Sequence, residues 1–413
     1  MKTVAFITLG CKLSFAETST HEREFIGAGF TVVPPAEKAD IYLVNTCSVT
    51  AMADKKGRNM IGRLHRLNPD ARVVVTGCQA QLRGDQLAGM PGVWAVIGSE
   101  YKGDVLKIAT ADKLDRKVFV APIAGSRSYF PAFSTTERTR AFLKVQDGCD
   151  YHCTYCTVPL ARGDSRNAPI STVVDQARQI AAAGFKEVVI TGVNTGDFGK
   201  STGESFFDLI KALNDVDGIE RYRISSIEPN LLTDEIVDWI ASGTKFLPHF
   251  HIPLQSGCDR ILEAMHRRYN TGFFRRKIEY IRSRMDYVFF GIDVIVGFPG
   301  ETQEDFETTY HFLEEIRPAF IHIFPYSRRA GTPAADMPGQ VSESDKKARV
   351  QALEGLCDRL HKEFCDANRG RSEQVLFEST DRNGKMFGYS RNYIKVEREY
   401  DPQLVGQIVD VII

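Results

Sequence analysis

Cys149, Cys153 and Cys156 stand in the run Asp147-Gly148-Cys149-Asp150-Tyr151-His152-Cys153-Thr154-Tyr155-Cys156. This C-x3-C-x2-C spacing brings three thiolates within reach of one metal centre and offers no adjacent fourth. A cubane iron–sulfur cluster has one more iron than this set can ligate, so one iron stays open to a substrate, as a four-cysteine site does not allow. Structural zinc is the competing reading. Zinc closes its shell with a fourth ligand, the only neighbouring candidate is His152 inside the loop, and structural zinc motifs usually come as two pairs. Three unrelated reduced thiols are a second alternative, which the close clustering disfavours.

Another trio is dispersed. The apolar runs at 4–9, 41–46 and 72–76 end at Gly10-Cys11, at Cys47 and at Gly77-Cys78. Parallel strands share one carboxyl edge, where ligands bind, so Cys11, Cys47 and Cys78 should converge on one crevice. A lone cysteine is often a small core residue. Three at the same strand-end position point to a second three-thiolate site.

The elements that must position these groups are readable. To about residue 118, continuous apolar strands alternate with helical stretches at 17–27 and 55–67, which predicts a parallel sheet covered on both faces. Residues 119–140 are small and polar and read as a linker. From 141 to 368 strand candidates at 141–145, 187–191, 221–227, 250–254, 288–296 and 319–324 alternate with helical patterns. They predict an incomplete six-stranded βα barrel with its chemistry at the strand carboxyl ends. His249 and His251 fall on one face of a strand by alternation, pointing either to the site or to structural roles. Residues 342–368 form a long polar helix in which Cys357 and Cys365 are packing residues. From 369 to 413 short strands and turns predict a small all-β barrel or sandwich.

The chain has 413 residues, nine cysteines and a net charge of −1. No apolar run is long enough to span a bilayer. The start leads straight into a strand with no cleavable signal pattern, so a cytosolic protein is expected, in which cysteines are ligands or free thiols. Near-zero charge announces no nucleic-acid partner; two local runs are more suggestive. Lys55-Lys56-Gly57-Arg58 continues to Arg63, His65 and Arg66; His266-Arg267-Arg268-Tyr269 continues to Arg275-Arg276-Lys277, Arg282 and Arg284. Each is either a phosphate-tracking face or a solvated helix face.

Two cysteine trios followed by a small β module resemble the methylthiotransferases, radical S-adenosylmethionine (radical SAM) enzymes with two 4Fe–4S clusters. The resemblance covers essentially the whole chain. One branch of that family modifies isopentenyladenosine in tRNA, another an aspartate of a ribosomal protein, and a third threonylcarbamoyladenosine in tRNA. Gly10-Cys11-Lys12-Leu13, Glu17-Thr18, Asp147-Gly148-Cys149-Asp150-Tyr151, Leu254-Gln255-Ser256-Gly257, His266-Arg267-Arg268-Tyr269 and Phe324-Pro325-Tyr326-Ser327 are most similar to the third branch. Ser14, where the family usually has Asn, and Cys258, where Ser is usual, are departures.

The resemblance implies a flavodoxin-like amino-terminal cluster domain (1–118), a radical SAM barrel (141–368) and an RNA-binding TRAM barrel (369–413), in which Arg391, Tyr393 and Lys395 are candidate RNA contacts, with the tyrosines equally readable as core. It implies one cluster on Cys149, Cys153 and Cys156 that passes an electron to SAM, giving a 5′-deoxyadenosyl radical that abstracts hydrogen from C2 of the adenine. It implies a second cluster on Cys11, Cys47 and Cys78 that supplies sulfur after methylation by another SAM. Candidate SAM contacts at matching positions are Tyr155, Thr191, Gly192, Asn194, Ser226, Glu228, Gln255, Asp293 and Tyr326. Expected partners are a tRNA anticodon stem-loop and a reductant such as flavodoxin or ferredoxin, with no membrane. A non-catalytic iron–sulfur RNA-binding or redox protein is the rival of another class.

Overall fold

The fold comes from a computed structural model, which describes residues 2–135, 139–379 and 382–413. Part of the expected linker, 136–138, therefore lies outside the described residues.

The first sheet is built from β1 (Thr3–Thr8), β2 (Thr31–Val32), β3 (Ile41–Thr46), β4 (Arg72–Gly77), β5 (Val93–Ile97) and β6 (Val118–Phe119). All pairings are parallel, in the order β2-β1-β3-β4-β5-β6. Every residue of β3 is buried. Alternate residues explain why: Tyr42, Val44, Val73 and Val75 enter one apolar cluster, while Ile41, Leu43 and Val74 enter the other. Burial on both faces is what made these strands continuous apolar runs. The chain reverses its direction of sheet growth at β1/β3, the point at which open α/β sheets form their ligand crevice.

The middle of the chain holds β7 (Ala132–Phe133), β8 (Ala141–Lys144), β9 (Glu187–Thr191), β10 (Arg221–Ile224), β11 (His249–Gln255), β12 (Phe289–Val296) and β13 (Phe320–Pro325). β8, β9 and β10 form one parallel ladder, with β7 added antiparallel outside β8. β11, β12 and β13 form another. A parallel bridge, Tyr222 to Phe246, links the two into an open arc of six parallel strands. The expected strand 221–227 stops at Ile224. There the chain crosses between ladders: Ser225 N–H donates to the Ile190 carbonyl, and Ile227 N–H to the His251 carbonyl. Helix Lys12–Gly27 of the first domain lies against β7 and β8 at the open side of the arc, with Phe15 edge-on to Phe142 at 5.6 Å.

Helix Glu343–Ala367 packs on β13 and buries Cys357 in the barrel core. Then β14 (Ser372–Phe377), β15 (Lys385–Ser390), β16 (Lys395–Glu399) and β17 (Ile408–Ile412) form an antiparallel sheet in the order β16-β15-β14-β17 around Val375, Phe377 and Met386. Buried Arg221 and Arg223 attach this sheet to the barrel. Arg223 donates to the Ser390 and Arg391 carbonyls at 2.7 and 2.9 Å, and Arg221 to those of Gln374 and Tyr389 at 3.3 and 3.2 Å. Glu187 neutralises both arginines at 2.7 and 2.8 Å. Among the described residues no helix is long and apolar enough to cross a membrane.

Candidate active site

The dispersed trio meets at one edge. Cys11 follows β1 and stands at the N-cap of helix Lys12–Gly27; Cys47 follows β3; Cys78 follows β4 and opens helix Cys78–Leu82. The ladders pair Thr8 with Asn45 and Thr46 with Gly77, which brings the three chain exits to nearly one level. Gly77 is required there. Its φ is +96°, and a Cβ would collide with the Thr46 carbonyl oxygen. The thiols sense each other: burial pushes Cys47 up to about 11, and Cys78 and Cys11 add to the rise.

The contiguous trio follows β8. Gly148, at φ +72°, makes the turn where a Cβ would strike the Asp164 carbonyl. Cys149 and Cys153 are buried and Cys156 is half-buried. Their sulfurs accept N–H bonds: Tyr151 N–H to Cys149 Sγ at 3.4 Å, Val158 N–H to Cys156 Sγ at 3.4 Å, and Arg267 Nη1 to Cys153 Sγ at 3.1 Å. Arg162 Nε does the same for Cys78 Sγ at 3.3 Å. Each trio thus has one guanidinium on a sulfur, a donor set suited to anionic thiolates ligating a cluster. Burial pushes the Cys149 thiol up and that of Cys156 up to about 12, so metal binding must release their protons.

A buried ionic knot joins the two trios. Glu17 Oε1 lies 2.7 Å from Lys102 Nζ, 2.8 Å from Lys144 Nζ and 3.2 Å from Arg162 Nη1. Asp147 binds Lys144 at 2.6 Å and Arg162 at 2.8 Å. Burial alone would raise both carboxyls, but Lys102, Lys144 and Arg162 hold Glu17 well below the usual range, and Arg162 with the same lysines holds Asp147 there. Glu17 and Lys102 come from the first domain, whereas Lys144, Asp147 and Arg162 come from the barrel and its cysteine loop. A second clamp runs from the loop after β13, where Arg329 donates to Ser48 at 2.8 Å and to Asp54 at 2.5 Å, just beyond Cys47. Among these groups Glu17 and Asp147 stand out in the sequence, through their motifs only. Lys102, Lys144, Arg162 and Arg329 carry no local signature, because their partners are remote in the chain.

The candidate SAM contacts fall into two groups. Tyr155 and Tyr326 share an apolar cluster with Phe298 and Met265. Tyr155 accepts from Arg267 Nη1 at 3.4 Å, and Arg267 Nη2 reaches Glu228 at 2.5 Å. Burial raises the Glu228 carboxyl despite that arginine. The Gly192–Asn194 turn is held from the cysteine side: Gln146 Oε1 accepts from Val193 and Asn194 N–H at 2.9 and 3.0 Å. Asn194 Oδ1 in turn accepts from Glu228 N–H. Asn194 Nδ2 and Tyr326 OH are buried with no hydrogen-bond partner among the described residues, as groups meant for a polar ligand would be. Gln255 stands at a bulge of β11 with φ +70°. Ser226 and Asp293 approach the same histidine, Ser226 Oγ at 3.4 Å from His251 Nδ1 and Asp293 Oδ1 at 2.6 Å from its Nε2. Thr191 is different. Its hydroxyl donates to the Val189 carbonyl within its own strand.

Two further alternatives left open by the sequence are decided here. Arg267, from the second basic run, is buried against Cys153 and Glu228 and is no phosphate tracker. Around it, Arg275 is bidentate on Glu315 at 2.6 and 2.7 Å, Lys277 pairs with Asp234 at 2.5 Å, and Arg284 pairs with Asp238 at 2.9 Å. Tyr393 stacks on Tyr389 at 4.8 Å and lies 4.7 Å from His249, facing the interior. The first basic run keeps its character: Lys55, Lys56, Arg63 and Arg66 are exposed on helix Ala51–Leu67, which starts just beyond Cys47.

A cavity of about 910 Å³ lies between the barrel's inner wall, helix Lys12–Gly27 and the carboxyl-terminal sheet. Cys11, Lys12, Arg140, Arg223, His251 and Tyr393 are on its wall. His251, Asp293 and His322 offer ligand atoms all within 4.8 Å of one another. Burial lowers His322 to about 4. The field of Lys12 reaches both Asp293 and His322, which opposes a cation there.

Comparisons with known proteins give the family. A model of the radical SAM superfamily matches residues 143–313, and one of the uncharacterized protein family UPF0004 matches 3–98. The chain is 39% identical to a threonylcarbamoyladenosine tRNA methylthiotransferase MtaB from Bacillus subtilis (strain 168), covering 100% of this chain and 93% of that protein. The chain belongs to the radical SAM methylthiotransferase family. The MtaB protein of Aquifex aeolicus (strain VF5) is 38% identical over 99% of this chain and 100% of its own length. A tRNA-2-methylthio-N(6)-dimethylallyladenosine synthase from Pelotomaculum thermopropionicum is 33% identical, covering 100% of this chain and 95% of that protein. Among solved structures, the radical SAM methyltransferase TsrM from Kitasatospora setae, with cobalamin and a [4Fe-4S] cluster bound, superposes with a TM-score of 0.60 at 17% identity, over 81% of this chain and 77% of that one. That likeness concerns the fold. SAM and 4Fe–4S clusters are the cofactors that membership of this family entails.

Proposed function

We propose that this chain attaches a methylthio group to C2 of threonylcarbamoyladenosine beside the anticodon of tRNA. The observation that carries the reading is the ionic knot of Glu17, Asp147 and Arg162, which joins the segments bearing the two cysteine trios, with Cys11 on the wall of the cavity. Cys149, Cys153 and Cys156 would hold one 4Fe–4S cluster and Cys11, Cys47 and Cys78 the other. Such clusters with SAM supply radical generation and sulfur, chemistry that acid–base side chains cannot drive at an unactivated aromatic carbon.

The chain's own residues do the rest. Arg267 and Arg162 each place a positive charge on a ligating sulfur. Tyr155, which packs on the contiguous trio, and Asn194, Glu228, Gln255 and Tyr326 would supply an aromatic wall and polar atoms that orient SAM, beside Gly192, Ser226 and Asp293. Thr191 supports that turn from within its strand. The knot fixes the spacing between the trios, and Cys11 puts the dispersed one on the wall of the cavity that would take the base. Residues 1–118, 141–368 and 369–413 would be the sulfur-donating, radical-generating and TRAM-type RNA-binding domains. The work would be done in the cytoplasm, with a flavodoxin or ferredoxin as reductant.

The test is turnover by anaerobically prepared protein on three substrates: threonylcarbamoyl-tRNA, isopentenyl-tRNA and the ribosomal protein, each read by mass spectrometry. Methylthiolation of the first alone supports the proposal. Product only from either of the others reassigns the substrate, and SAM-independent RNA binding without product favours the non-catalytic reading.

A further inference from the structure

Two relatives of this chain act on adenosines with opposite N6 substituents. Threonylcarbamoyl ends in an amino-acid carboxylate, whereas dimethylallyl is apolar and neutral. A site for the first needs a cation where a site for the second needs none, because a carboxylate left unpaired in a cavity costs far more than it gains. The cavity wall contains several cations, and most are occupied. Arg140 is held by Glu378 at 2.9 Å and by Tyr393 OH at 3.2 Å. Arg223 is spent on Glu187 and two carbonyls. Lys395 Nζ sits 3.8 Å from the centroid of the Phe387 ring. Lys12 is the exception: among the described residues its ammonium has no hydrogen bond and no ion pair, although it opens into the cavity.

Its place in the chain matters as much as its freedom. Lys12 directly follows Cys11. On a purine, C2 and the N6 substituent flank N1 on one edge. A group that delivers sulfur to C2 and a group that grips the N6 substituent must therefore stand side by side. Resting on the function proposed above, we infer that Lys12 binds the threonine carboxylate of the substrate and sets the choice of a charged over an apolar N6 group.

The test uses the anaerobic holoprotein and two anticodon stem-loop RNAs. One carries the free threonylcarbamoyl acid at the target adenosine; the other carries its methyl ester, which keeps the shape and removes the charge. The wild type should bind the acid roughly 10- to 100-fold more tightly, the range for a hydrogen bond to a charged group in a sheltered site. Lys12→Met should bring that ratio to within about twofold at unchanged iron content, and Lys12→Arg should restore most of it. A Met variant that keeps the wild-type ratio overturns the inference. So does equal weakening of both RNAs, which would assign Lys12 to a phosphate, and so does a wild type that does not distinguish acid from ester. Turnover of the acid RNA by the wild type reads the proposed function separately, so either idea can fail alone.

Discussion

The two cysteine trios are built in opposite ways. Cys149, Cys153 and Cys156 lie within one loop whose own N–H groups from Tyr151 and Val158 already face two of the sulfurs. Cys11, Cys47 and Cys78 come from three strand ends, and their convergence depends on the whole first sheet. The first trio is largely buried, whereas Cys11 is exposed toward the cavity. The contrast fits a division of labour. A site that must start a radical is best closed against water, and a site that must give up an atom has to be reached by the substrate. It also teaches that the local trio depends on its loop and the dispersed trio on the register of the first sheet.

The strongest way to break this contrast is Cys149→Ala. It should abolish 5′-deoxyadenosine formation, measured by chromatography after reduction with dithionite; full SAM cleavage in that variant ends the radical reading. Next comes Cys78→Ala. Iron should fall from about eight to about four per chain and sulfur insertion should stop, while 5′-deoxyadenosine is still made; an unchanged iron count would contradict the assignment of a second cluster.

Glu17→Gln tests the knot that joins the two trios. It leaves Lys102, Lys144 and Arg162 with Asp147 as their remaining carboxylate in the knot, so chemical denaturation should show destabilisation by about 3–5 kcal/mol. The knot has a pH signature as well. Glu17 and Asp147 have native pKa values below their unfolded values near 4, so their contribution is complete above that value and disappears as the pH falls through the native ones. Melting temperature should drop more steeply below about pH 4 in the wild type than in Glu17→Gln; parallel curves would show that the knot does not set acid stability. The smallest effect is expected at the exposed basic helix. Replacing Lys55, Lys56 and Arg66 with Gln should weaken tRNA binding at low salt and reduce the salt slope by about one for each phosphate no longer neutralised. An unaltered slope would leave that helix as a solvated face.

Much of the site was legible because it is written in contiguous or periodic form. The C-x3-C-x2-C loop needs no tertiary information. The dispersed trio could be inferred because each cysteine ends a run that is apolar throughout, and such runs belong to parallel strands with a shared edge. The basic runs were harder. Lys55 and Arg267 look alike in sequence, yet Lys55 is exposed while Arg267 is buried on Cys153 and Glu228. Tyr393 could not be assigned to an outer RNA face or to the interior until its approach to His249 was known.

By itself, then, the chain determined which residues can hold metal, which segments are strands and which of them end in a thiol, since these depend on residue type and short-range pattern. Tertiary structure alone decided which charges are spent and which are free. Lys102, Lys144 and Arg162 are neutralised by carboxylates drawn from two domains, and Lys12 is left open to the cavity, because the field around a side chain is set by neighbours that chain separation hides.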